Sequence, residues 1–280
     1  MAKARRFALA SAMHDALDLD RYPLHDLASD PGQALVAASR RNLEEHGMFS
    51  LDGFVRPRAL ADGVADLRPL IDGAAFTHRR EHNIYFDDTI AGIAPDHPAL
   101  RRFETVNHTV CADQMADSLV CRLYDWPPLA AFLAAVMAKP RLYPMDDPLA
   151  CANVLAYRAG EALNWHFDRS EFTVTLLLQS PVAGGDFLYR SGLRSEGDPN
   201  YDGVARLLAG ADDAVQTLPL APGTLNVFKG KNTAHRVTPV VGNRDRIVAV
   251  FSYYERPGVR FSAAERLGFY GRAEALAAAP

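Results

Sequence analysis

The chain is poor in the features that mark several large classes of protein. Only three cysteines, Cys111, Cys121 and Cys151, occur in 280 residues, and none forms a CxxC pair. An odd, scattered set argues against both a disulfide framework and a thiolate zinc site, and predicts three small buried side chains in a reducing, cytoplasmic setting. No run approaches the roughly eighteen apolar residues that a membrane span needs. The basic start, Lys3 to Arg6, leads into an apolar stretch that His14 and Asp15 interrupt before a secretory h-region can form, so secretion is not expected. A net charge of -4, a pI near 6.1 and the lack of any block of like charges give no long-range attraction for nucleic acid or anionic lipid. No Gly/Ser- or Pro-rich linker and no internal repeat divides the sequence.

What is present, 49% hydrophobic and 23% charged residues, is the composition of an ordinary globular protein. A single domain over 1–280 is expected, with a helix-rich part over 1–150, a β core over about 151–256 and a tail over 257–280. In the first part Asp30 reads as an N-cap with Pro31 at the first helical position, and Leu35, Val36, Ser39 and Leu43 fall near one face. A second helix through Leu60, Val64 and Leu67 is expected to stop at Arg68, before Pro69. Between them Phe49 to Asp52 alternates as a short strand. A third helix runs from Trp126 to Lys139, capped by Asp125 and ended by Pro140.

From residue 151 the pattern turns to strands, at Asn153 to Tyr157, Phe172 to Leu178, Phe187 to Tyr189, Thr224 to Phe228 and Ile247 to Phe251. Glycine- and proline-containing turns separate them. Short strands so closely spaced imply an antiparallel sandwich or barrel. One insertion, about 191–210, contains a short helix at Tyr201 to Leu208.

The residues that carry chemistry are His166, Asp168 and His235. In an extended segment His166 and Asp168 point the same way, so an imidazole and a carboxylate can converge on one ion. A histidine from a distant strand then completes a face, leaving about three positions open on an octahedral ferrous ion. An isolated HxD is a weak signal. Here a strand and turn lead through Tyr157 to Trp165 into it, and His235 opens the run HRVTPV, with Arg244 and Arg246 beyond.

In this order and spacing, over about 150–256, the chain resembles the Fe(II)/2-oxoglutarate-dependent oxygenases. The YRxGxxxxWHxD run, the Gly184-Gly185-Asp186-Phe187 step, Pro222 to Leu225 and HRVTPV are similar to the branch of small enzymes that hydroxylate or halogenate free amino acids. The resemblance implies an α+β fold with a double-stranded β-helix (jelly-roll, cupin-like) core and N-terminal helical packing. It also implies Fe(II), with 2-oxoglutarate and O2 as co-substrates and a small molecule as the partner. Halogenases of that branch carry a small residue in place of the carboxylate; Asp168 therefore implies hydroxylation.

The resemblance further implies a basic residue after the distal histidine that anchors the far carboxylate of 2-oxoglutarate. Arg246 is the first choice; Arg244 shares its parity. Tyr157 and Asn153 stand on the strand leading to the motif, where the family often supplies a hydroxyl or amide to the co-substrate. For the substrate, Arg169 follows the metal carboxylate directly, and the polar cluster with Arg79, Arg80 and His82 reads as a loop over the site. The rival readings are a non-catalytic cupin-like protein that binds a metal or small ligand, and a metal-dependent isomerase or hydrolase on a similar barrel.

Overall fold

The computed structural model describes residues 11–87, 90 and 92–276. The basic start, Lys3 to Arg6, lies outside them. After a helical stretch ending at Ala16, the chain forms α1 (Asp30–His46), β1 (Met48–Leu51), α2 (Pro57–Gly73), β2 (Phe76–His82) and β3 (Phe103–Cys111). Then come α3 (Leu119–Tyr124), α4 (Pro127–Val136), β4 (Tyr143–Pro144), β5 (Ala152–Tyr157), β6 (Leu163–His166) and β7 (Thr173–Gln179). The rest is β8 (Ala183–Gly184), β9 (Phe187–Arg190), α5 (Tyr201–Leu208), β10 (Gln216–Leu218), β11 (Leu225–Phe228) and β12 (Ala234–Val237). Finally β13 (Val240–Val241), β14 (Arg246–Phe251), β15 (Tyr253–Tyr254) and α6 (Ala263–Tyr270) close the chain.

Two antiparallel sheets dominate this mixed helix and sheet structure. The larger has seven strands in the order β1-β11-β7-β14-β5-β3-β2, the smaller four in the order β10-β9-β12-β6. Strand alternation sorts the large sheet's side chains. Val154, Val174, Leu176, Leu225, Val227, Ile247, Ala249 and Phe251 face the helices and share the main core with Leu43, Leu67, Leu129 and Phe132. Their neighbours in sequence face the small sheet, where Phe228 meets Phe187 with ring centroids 5.3 Å apart. The outer face of the small sheet, through Trp165, Phe167 and Ala234, is covered by Val204 and Leu207 of α5 and by Ile84 and Ala99.

Several helix boundaries differ from expectation. The N-cap of α1 is Ser29, whose hydroxyl accepts the Gly32 amide at 3.2 Å, so Asp30 is already helical. Helix α2 passes through Pro69 to Gly73, because Ile71, one turn after Leu67, is buried on the same face. Asp125 ends α3 instead of capping α4, which Trp126 starts and which stops at Val136. The expected tail carries α6, opened by a capping box between Ser262 and Glu265.

The largest departure lies in the part read as helical. Residues 78–83, expected as a loop, lie up to His82 in β2, which pairs along its whole length with β3 at the edge of the large sheet. Phe76, His78, Arg80 and His82 lie on its more buried face and Thr77, Arg79 and Glu81 are exposed. The alternation is present but both faces are mostly polar, so hydrophobic periodicity does not reveal it. Cys111 and Cys121 are buried, Cys151 is half-buried, and none is in a disulfide. No helix among the described residues is long and apolar enough to cross a membrane.

Candidate active site

His166 ends β6 and His235 lies directly opposite it on β12, so backbone pairing within the small sheet holds the two imidazoles together. Their ring centroids are 4.1 Å apart. Asp168 follows two residues after His166, and its backbone amide is held by the Gly230 carbonyl at 3.1 Å. Asp168 Oδ1 lies 3.4 Å from His166 Nε2, and Oδ2 lies 3.4 Å from His235 Nε2. Among the described residues these three form the cluster whose donor atoms all lie within 4.8 Å of one another.

The backbone selects which ring nitrogens face the cluster. His166 Nδ1 is 2.8 Å from the Asn164 carbonyl and His235 Nδ1 is 3.0 Å from the Thr233 carbonyl. Since a carbonyl only accepts, each Nδ1 carries a proton, and each Nε2 is the nitrogen turned to Asp168. Burial, with repulsion from His166, pushes His235 down to about 4, so its ring is neutral and able to ligate at neutral pH. Burial alone would raise the Asp168 carboxyl. His235, His166 and the Thr173 hydroxyl outweigh it and hold that group well below the usual carboxylate range. Two imidazole nitrogens and one carboxylate oxygen are the donor set of an open facial site for a divalent first-row ion.

The residues expected to hold a co-substrate separate clearly. Arg246, the first residue of β14, is buried at 4% exposure and pairs in register with Tyr157 on β5. Its Nε donates to the Gly185 carbonyl at 3.1 Å, and it lines a cavity of about 500 Å³ with Leu177, Gly184, Gly185 and Phe187. The Gly185 backbone has φ +67°, and a Cβ there would press on the Arg246 side chain at 3.1 Å. The Tyr157 hydroxyl is fully buried and has no hydrogen-bond partner, and burial raises it to about 12. An orphaned hydroxyl beside a desolvated guanidinium fits an anionic group that both could bind.

Arg244 precedes the strand, is exposed, and donates to the Pro181 carbonyl at 3.0 Å. Its neighbour Asp245 pairs with Arg68 at 2.6 Å. Asn153 shares the parity of Tyr157 but sits at the other end of β5. Its amide donates to the Leu149 carbonyl at 2.7 Å and its carbonyl accepts the Tyr270 hydroxyl at 3.1 Å, so its polar atoms are committed to α6 and its surroundings.

Of the substrate candidates, Arg169 and Arg79 point away from the centre. Arg169 pairs with Glu265 of α6 at 2.9 Å, not with Glu171, which holds Lys139. Arg79 is on the exposed face of β2 and pairs with Glu104. Arg80 and His82 lie on the more buried face, and Phe86 joins them to the metal cluster. The Phe86 ring stacks on His82 at 4.3 Å, stands edge-on to His166 at 5.7 Å and underlies Arg80 at 4.7 Å. Phe86 holds a left-handed backbone, φ 55°, which is unusual for an aromatic residue. His82 Nε2 is 2.8 Å from Thr105 Oγ1, and that oxygen accepts the Asn164 amide at 3.1 Å, tying the edge of the large sheet to β6.

Two neighbours of Asp168 were not read from the sequence. Thr173 Oγ1 donates to Asp168 Oδ2 at 2.5 Å, and Gly230 leaves the space in which they meet. Neither belongs to a motif. Only the position of Thr173 at the start of a strand beside HxD could have drawn attention to it.

The family model described as Halogenase D matches residues 32–264. No curated protein matches the sequence. Among solved structures, the chain is similar to the epimerase SnoN in complex with Fe3+, alpha ketoglutarate and nogalamycin RO. That likeness has a TM-score of 0.54 and 15% identity, over 79% of this chain and 84% of that one. The carbocyclase SnoK from nogalamycin biosynthesis gives 0.53 and 14%, over 86% and 93%. HygX from Streptomyces hygroscopicus, with nickel and 2-oxoglutarate bound, gives 0.51 and 15%, over 77% and 85%. At such identities these likenesses speak for the fold, and the family match spans most of the chain. The resemblance read from HxD, the distal histidine and the glycine turns is borne out: the chain belongs to the Halogenase D family, on the fold of the Fe(II)/2-oxoglutarate oxygenases.

Proposed function

We propose that this protein is an Fe(II)- and 2-oxoglutarate-dependent oxygenase that hydroxylates an unactivated C–H bond of a small polar molecule, with a free amino acid or a derivative as the preferred class. The two facing sheets are read as a double-stranded β-helix within a single domain. His166, Asp168 and His235 would hold the iron; Arg246 and Tyr157 would receive the distal carboxylate of 2-oxoglutarate. The observation that carries this reading is the pairing of that open donor set with a buried guanidinium and an orphaned hydroxyl. A protein that only senses a metal has no use for a desolvated cation, whose burial is costly without an anionic partner.

Iron held there would, with 2-oxoglutarate and O2, supply the oxidation of the C–H bond, with succinate and CO2 as co-products. The chain's own part is positioning. Backbone carbonyls orient the two imidazoles, and the neutral His235 keeps its lone pair free. Arg246 and Tyr157 offer donors for an anion in a water-poor interior. Phe86, with Arg80 and His82 behind it, covers His166 on the side where a small polar substrate would approach. With Asp168 filling the position that halogenases of this branch leave open, the expected product is an alcohol.

The test is succinate formation by anaerobically purified protein given Fe(II), 2-oxoglutarate and O2 with a panel of amino acids, with Asp168→Ala as control. Substrate-stimulated succinate that vanishes in the control supports the reading. Succinate that no panel member stimulates overturns the substrate class, and a protein that neither binds 2-oxoglutarate nor makes succinate overturns the activity.

A further inference from the structure

The three ligands of the centre come from β6, the segment just after it, and β12. The large sheet reaches them with one directly opposed pair of residues. Thr173 on β7 and Phe228 on β11 face each other in register; the threonine bonds Asp168 at 2.5 Å and the phenylalanine ring stands edge-on to His235 at 4.7 Å. The threonine contact depends on an absence. A Cβ on Gly230 would lie 2.4 Å from Asp168 Oδ2, 2.4 Å from Thr173 Oγ1 and 2.9 Å from Asp168 Cβ, so the carboxylate and the hydroxyl would have to move from where they now meet. Gly230 has no left-handed backbone, unlike twelve other glycines of the chain, so what the site uses is its lack of a side chain.

We propose that Thr173 is a positioning residue that holds Asp168 as a one-oxygen metal ligand, and that residue 230 is glycine to permit this. Each carboxylate oxygen lies 3.4 Å from one imidazole Nε2, but only Oδ2 also accepts the Thr173 hydroxyl, which draws charge from that oxygen and leaves Oδ1 the stronger donor for the ion. A carboxylate free of such a bond can close on an ion with both oxygens, and the second oxygen takes a coordination position that a co-substrate needs. Because the donor stands on the opposite sheet, packing between the sheets sets the orientation of the carboxylate. The proposal rests on reading His166, Asp168 and His235 as a metal centre, and extends it to how many positions stay open.

The test compares wild type with Thr173→Val, which keeps the shape and removes the donor, Thr173→Ser, which keeps the donor, and Gly230→Ala, which fills the space. Apo protein is titrated with Co(II) in the absence of 2-oxoglutarate, following affinity by calorimetry and ligand geometry by visible absorption. Loss of such an outer partner typically weakens metal binding about 10- to 100-fold. That loss is expected for Thr173→Val and Gly230→Ala, with a changed Co(II) spectrum, and Thr173→Ser should restore both toward wild type. A merely structural threonine would lower the unfolding temperature and leave affinity and spectrum unchanged, and that result overturns the proposal. Should Thr173→Val not fold, Gly230→Ala decides alone: wild-type Co(II) binding by it is fatal. Failure of the wild type to take up Co(II) would sink the metal centre itself. An intact Thr173 effect on Co(II) in a wild type that, in a separate titration of the Co(II)-loaded protein, does not bind 2-oxoglutarate would fault only the co-substrate reading.

Discussion

Replacing Arg246 with leucine should separate the two things that this buried cation does. In the free protein it is desolvated, and its one hydrogen bond among the described residues is that from Nε to the Gly185 carbonyl. It therefore costs folding energy that a leucine of similar bulk would not. With 2-oxoglutarate bound, the same group would form a charge-assisted pair in a water-poor cavity. Truncating one partner of such a pair typically costs about 2–4 kcal/mol, or roughly 30- to 1,000-fold in dissociation constant. Arg246→Leu is thus expected to lose 2-oxoglutarate affinity by that factor while the unfolding free energy of the apo protein holds or rises. Arg244→Leu is the internal control. Its side chain is exposed and bound to the Pro181 carbonyl, so affinity should change by less than about threefold, in line with the small energies of surface contacts. Anaerobic calorimetry with Ni(II)-loaded protein reads the affinity, and urea titration of the apo protein reads the stability. Unchanged 2-oxoglutarate binding in Arg246→Leu, or a large loss in Arg244→Leu, would refute the reasoning.

Other substitutions probe different links. Tyr157→Phe removes a hydroxyl that has no partner in the free protein, so apo stability should not fall, while 2-oxoglutarate binding weakens by about 1 kcal/mol, measured by the same calorimetry. Asp147 is buried at 2% exposure, pairs with Arg266 at 2.9 Å and accepts the amides of Leu149, Ala150 and Phe261; Asp147→Ala should cost about 3–5 kcal/mol in urea unfolding and expose α6 to proteolysis. His82 is buried and its pKa is pushed down to about 4 from 6.5, chiefly by burial. Below 6.5 the unfolded chain therefore binds the extra proton, and stability falls as pH drops toward 4. At pH 5 the loss is about 2 kcal/mol, and a His82→Gln variant whose unfolding free energy falls just as steeply from pH 7 to 5 would contradict this. Pro69 lies exposed inside α2, where proline is disfavoured, so Pro69→Ala is expected to raise stability by about 1–2 kcal/mol in thermal unfolding.

The local patterns of the sequence identified much of this protein. The HxD tripeptide and its distal histidine are a statement about side-chain direction along strands, and β6 and β12 bring them into register opposite each other. The later strands and the helix Tyr201–Leu208 were equally legible, because apolar alternation and turn residues act over a few positions. The failures were of two kinds. β2 carries polar side chains on both faces, so no hydrophobic period marks it, and its identity as a strand comes from pairing with β3. Parity could not choose between Arg244 and Arg246, nor between Asn153 and Tyr157, since each pair differs by an even number of residues. Register separates them in space: β14 begins at Arg246, opposite Tyr157, while Asn153 lies opposite Val250, within reach of Tyr270. The contact of Thr173 with Asp168 across Gly230 belongs to the same class. Alternation is a property of one strand and can be read from its residues, whereas register and sheet spacing arise from the packing of distant segments and exist only in the folded chain.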